Sequence, residues 1–100
     1  MWGAIAYSSS TGRSGYSYHY SNRSSAEQAA LDFCGAADAI ITISAGWSWI
    51  ALAVASNGAW GARSGTGGND AAGRAENTCR QYGGQDPRIV HCFHTFFGPR

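Results

Sequence analysis

The chain has 100 residues, of which Gly (14), Ala (17) and Ser (12) supply 43, whereas Leu, Ile, Val and Phe together supply 14. Seven Arg against six Asp and Glu, with no Lys, leave a net charge of +1, which excludes a disordered polyelectrolyte and gives no electrostatic ground for nucleic acid or an anionic membrane as partner. Thirteen aromatics, each burying roughly 150–250 Å² when enclosed, restore the apolar mass for one small domain over residues 1–100 and exclude a coiled coil, a collagen or a multidomain chain.

Trp2 and Gly3 follow Met1 with neither a basic stretch nor an apolar h-region, so no signal peptide is read here. That leaves a cytosolic protein or a mature form preceded by an added start Met. Trp2 to Ser8 reads as a strand of small residues, and Ser9-Ser10-Thr11-Gly12 as the turn after it. Ser14 to Ser21 is the next strand, with Tyr16, Tyr18 and Tyr20 on one face and Ser17 and His19 on the other. The tyrosines are expected beneath a helix as core; the competing reading is a stacking platform for sugar or single-stranded nucleic acid.

A helix follows, capped by Ser24 with Glu27 three residues on. Ala26, Ala29, Ala30, Phe33 and Cys34 recur on its inner face, and Gly35 ends it. The uncharged stretch from Ala39 to Ala62 is long enough for a membrane span. Polar residues interrupt it, however, and Ile41-Thr42-Ile43-Ser44 alternates with period two, so two strands and a turn are expected instead. Trp49 to Ser56 leads into the hairpin signal Asn57-Gly58, and a strand carrying Trp60 ends near Gly65. The second helix starts at Asn69 or Asp70, buries Ala71, Ala75, Thr78, Cys79 and Tyr82, and stops at Gly83-Gly84. A last strand carries Ile89 to His94.

These elements repeat. Ala4-Ile5-Ala6-Tyr7 matches Ala51-Leu52-Ala53-Val54 at an offset of 47, Gly12 and Gly15 match Gly58 and Gly61 at 46, and Ala26, Ala30 and Cys34 match Ala71, Ala75 and Cys79 at 45. Ile40-Ile41 matches Ile89-Val90 at 49. The offset changes only at turns and loops, where insertions are tolerated. Two copies are too few for a solenoid. The expected fold is therefore α+β: two pseudo-symmetric strand-strand-helix-strand units, residues 2–46 and 49–96, forming mainly antiparallel sheet with two helices packed on it.

Three cysteines allow one internal disulfide with three possible pairings, which would favour an oxidising compartment. The Trp2-Gly-Ala-Ile-Ala-Tyr7 strand, the Ser/Thr-Gly hairpin, the Tyr-x-Tyr strand and the Ala-rich helix ending in Cys34-Gly35 resemble the bacterial Domain of Unknown Function 4189 family. Ile50-Ala-Leu-Ala-Val54, Asn57-Gly-Ala-Trp-Gly61 and the helix to Cys79 repeat the pattern, so the resemblance covers nearly the whole chain. It implies a small secreted or periplasmic protein whose leader has been removed, and it supplies no catalytic residues. It also implies, through the cysteine that family members carry near the strand after each helix, a Cys79–Cys92 disulfide with Cys34 left as a buried free thiol.

Candidate chemistry is sparse. His91, Cys92 and His94 carry metal-ligand atoms, with His19 or Asp86 as a conceivable further ligand, but His91 points away from the other two on a strand. No metal and no cofactor are expected. No Gly-x-Ser-x-Gly elbow accompanies the serines, and no sequence feature places His19, His91 or His94 against one of them, so no catalytic residue is assigned. Gly65-Thr-Gly-Gly-Asn-Asp70 lacks the endings of a phosphate cradle, and Asp70 would repel an anion. Adjacent Phe96 and Phe97 force one ring outward, and Trp47 sits at the junction of the two units. Trp47, Phe97 and Arg100 are thus the expected contacts of a non-enzymatic module that binds another protein. The alternatives are an inhibitor or immunity-like protein for a secreted hydrolase, and a carbohydrate-binding domain or small hydrolase.

Overall fold

A computed structural model describes residues 1–99 of the chain. Its elements run β1 (Trp2–Tyr7), β2 (Ser14–Tyr20), α1 (Arg23–Cys34), β3 (Ile40–Gly46), β4 (Trp49–Val54), β5 (Trp60–Gly65), α2 (Gly68–Gln81) and β6 (Arg88–His94). The strand-strand-helix-strand unit occurs twice, and each copy makes its own antiparallel three-stranded sheet, ordered β2-β1-β3 and β5-β4-β6. The uncharged stretch lies in β3, β4 and β5, and no helix is long and apolar enough to cross a membrane.

Alternation along the two central strands sets the layers. Ile5 and Tyr7 of β1 meet Ile50 and Leu52 of β4 and Phe93 of β6 between the sheets. On the outer faces, Ala4 and Ala6 pack under Ala26, Ala30 and Cys34 of α1, while Ala51 and Ala53 pack under Ala71, Ala75 and Cys79 of α2. Large residues therefore fill the middle, and small ones let each helix settle close to its sheet. Gly15 and Gly61 mark the closest approach. A Cβ on Gly61 would lie 2.5 Å from the Cys79 amide nitrogen and 2.6 Å from Ala75 O, and one on Gly15 would meet the equivalent atoms of Cys34 and Ala30. The two units even share their irregularities: β1 against β3 skips Thr42, and β4 against β6 skips Val90 at the corresponding place.

Several local expectations are corrected. The register shift of β2 sets Tyr20 opposite Trp2, so the three tyrosines do not share one face, and Tyr16 and Tyr18 do not lie under α1. Gly15 and Ser17 do, with Ser17 Oγ donating to Ala26 O at 2.6 Å, so Tyr16 and Tyr18 face Phe93 of the other sheet at 5.3 and 6.2 Å between ring centroids. A helix faced with alanine comes too close for tyrosine. The cap of α1 is Asn22, whose Oδ1 accepts from Ser25 N at 2.8 Å, rather than Ser24; Glu27 instead accepts from Ser44 Oγ and Arg23. Phe33 and Tyr82, expected to be buried, are exposed. The second helix starts earlier than expected, behind Gly67.

The Cys79–Cys92 bridge is not formed; all three cysteines are free thiols. Cys92 Sγ donates to Gly68 O at the start of α2, whereas Cys79 Sγ donates to Ala59 O near its end. Gly68 and Cys79 stand eleven positions apart in the helix, roughly 16 Å at 1.5 Å per residue, well beyond the Cα separation a disulfide spans. Cys34 occupies the place in α1 that Cys79 occupies in α2, donating to Arg13 O at 3.5 Å.

Candidate functional site

The junction between the units is a two-residue link from Gly46 to Trp49, too short to lie flat. Trp47 takes a left-handed backbone (φ 48°) and donates its N–H to Met1 O at 3.1 Å. Such a conformation costs a non-glycine residue about 1–3 kcal/mol, and it turns the indole outward. The chain beyond β6 arrives at the same place. Thr95 is fully buried and clamps the link, its N–H donating to Ser48 O at 2.9 Å while its Oγ1 accepts from Ser48 N at 3.0 Å. Residues 95–97 then turn back instead of extending the strand, and Gly98 N donates to His94 O at 2.7 Å.

This turn brings both phenylalanines to Trp47, with ring centroids at 5.0 Å for Phe96 and 5.8 Å for Phe97. His94 braces the cluster from below. It lies 5.0 Å from Trp47, 5.0 Å from Phe97 and 5.6 Å from Trp49, and its Nδ1 accepts from Phe96 N at 3.0 Å. His19, itself left-handed (φ 66°), closes the far side, its N–H donating to Thr95 O at 2.7 Å and its ring packing on Phe96 at 4.7 Å. Trp47 remains 60% exposed and Phe97 48% exposed. Two of the three expected contact residues thus form one ridge; Arg100 lies outside the described residues. Phe96, His94 and His19 are members that sequence reasoning did not assign. The adjacent Phe96-Phe97 pair was a legible signal, but only the turn at Gly98 puts both rings on one side.

The other candidates disperse. His91 and Phe93 face the space between the sheets, Cys92 bonds to α2 and His94 supports the ridge. Among the described residues no three potential ligands gather around one point. Asp70 fills the start of α2 itself, accepting from Thr66 N at 3.0 Å and from Arg74 at 3.2 Å, which holds its carboxyl below the usual range. His91 has a partner that sequence did not reveal: its Nε2 shares a 2.9 Å hydrogen bond with Ser14 Oγ across the two sheets. Burial pushes the imidazole below its ordinary value and so keeps it neutral. A serine beside a neutral imidazole has the first contact of a nucleophile–base pair. No carboxylate hydrogen-bonds His91 among the described residues, and the ring lies 4.8 Å from Tyr16.

The model of a family described as Domain of unknown function (DUF4189) matches residues 2–93. The chain matches no curated protein and no solved structure.

Proposed function

The chain belongs to the DUF4189 family, and on that premise we propose that it is an exported, non-enzymatic module that recognises another protein through the ridge of Trp47, Phe96 and Phe97. The observation that carries this reading is the pairing of two large exposed rings from chain positions 47 and 97, held by a strained backbone on one side and a closed turn on the other. A surface cluster of tryptophan and phenylalanine with a rigid base has the makings of a binding hot spot: much apolar area and little side-chain entropy left to lose. No set of nucleophile, base and orienting group is assembled among the described residues, which favours recognition over catalysis.

The test is a comparison of partners captured from the envelope and secreted fractions of the source organism by the unmodified domain and by a Trp47→Ala/Phe97→Ala variant of unchanged circular dichroism. Loss of either anchor should weaken a captured partner by about 2 kcal/mol or more, and the double variant should lose it. Retention of every partner by the double variant would place recognition elsewhere.

A further inference from the structure

The second surface concerns strand edges and shares no residue with the aromatic ridge. Two three-stranded sheets have four edge strands, β2, β3, β5 and β6, and each edge carries backbone groups that seek a partner. Three of the four are blunted. β3 and β6 are broken by the bulges at Thr42 and Val90. β2 shifts register near its end, where His19 N is pinned to Thr95 O, and its middle is covered by side chains. Phe33 of α1 reaches round that edge to the Tyr16 ring on the opposite face, at 5.1 Å, and His91 packs on the same ring.

β5 has none of these devices. Its pairing with β4 runs from Val54–Trp60 to Trp49–Gly65 without a register shift. Ala55 N donates to Ala59 O, which sets the phase of the ladder. By the alternation of an antiparallel pair, Trp60, Ala62 and Ser64 turn their N–H and C=O groups away from β4. No hydrogen bond from those outward groups is formed among the described residues.

The repeat explains why this edge is bare. Gly61 is the structural counterpart of Gly15 and Cys79 of Cys34. Ala62 therefore stands where β2 has Tyr16, and Thr78 where α1 has Phe33. Removing those two rings leaves a groove of about 550 Å³ along β5, walled by Trp60, Thr78, Gln81 and Tyr82. Its one charged lining residue is Arg63, exposed and without a hydrogen bond or ion pair among the described residues.

We infer that the outer edge of β5 is a strand-addition site for an extended segment of a partner protein that carries an acidic side chain facing Arg63. The unpaired backbone groups select an extended chain, the mode known as β-augmentation. The free guanidinium, with its fork of donors, selects a carboxylate on that chain. A second copy of this chain fits less well, because pairing β5 with itself would bring a second unpartnered Arg63 to the same groove. Six residues of strand offer roughly 20 Å of edge, enough for a short linear segment.

A displayed library of random heptapeptides, selected on the intact protein, tests the inference. Enriched peptides should carry Asp or Glu within an otherwise uncharged, β-branched sequence. Ala62→Pro removes an outward N–H that the β4 ladder does not use, so it should cost at least tenfold in affinity at unchanged secondary structure. Arg63→Glu should cost as much, and Arg63→Lys less. Methylating alternate backbone nitrogens of an enriched peptide probes the same pairing without touching the protein, and should abolish binding in one register only. Failure to enrich acid-bearing peptides would overturn the inference. So would equal binding by both registers of methylated peptide, or a dimer in sedimentation that Ala62→Pro disperses.

Discussion

Gly61 shows how one hydrogen atom can set the spacing of two elements. Its Cα lies so close to α2 that a methyl group would press on the Cys79 amide and the Ala75 carbonyl, both held in the helix ladder. Neither can yield without moving the helix. Gly61→Ala should therefore lower stability by about 3 kcal/mol, read from denaturant midpoints, whereas a change smaller than 0.5 kcal/mol would mean that α2 rides more loosely than its geometry. His91 makes a prediction of a different kind. Burial lowers its affinity for a proton in the folded state relative to the unfolded chain. Below the ordinary imidazole value of 6.5, the unfolded state takes up the proton more readily, so stability should fall as pH drops through that point. Thermal unfolding at pH 7 and pH 5 should show a smaller acid loss in His91→Gln than in the unmodified protein; an equal loss in both would assign the acid sensitivity to another group.

At the scale of elements, α2 acts as a spacer between thiols. Cys92 sits at its first residue and Cys79 in its last turn, and burial raises both thiol pKa values. Both should react slowly with a disulfide reagent at pH 8 in the folded protein, and three thiols should be counted after unfolding. An intact mass two units lower under non-reducing conditions would show a bridge that this fold does not accommodate. The elements were largely legible in the sequence, since alternation, the Asn57-Gly58 turn and Gly35 each act through local chemistry. Their facing was harder to read. The spacing of Tyr16, Tyr18 and Tyr20 predicts one shared face, but an alanine helix too close for tyrosine leaves Tyr16 and Tyr18 on the opposite side, and the register shift of β2 sets Tyr20 opposite Trp2. The cap of α1 is hard to read from sequence because Asn22 and Ser24 offer similar acceptors two residues apart.

For the molecule as a whole, the repeat was the strongest sequence signal, and the structure explains its most exact matches. Ala26, Ala30 and Cys34, like Ala71, Ala75 and Cys79, are the positions where a helix touches its sheet. The ridge was legible in part. Trp47 and Phe97 stood out as exposed aromatics, but nothing local announces that residues 50 positions apart meet, since that follows from β6 ending beside the junction. The Ser14–His91 bond, 77 residues apart in the chain, left no trace in the sequence for the same reason.

The layer of Ile5, Tyr7, Ile50, Leu52 and Phe93 has one more consequence. Each unit can cover only the helix-bearing side of its own sheet; the other side is wet until the second unit arrives. Either half alone would therefore leave its share of this layer, Ile5 and Tyr7 or Ile50, Leu52 and Phe93, facing water, so neither half has a complete core without the other.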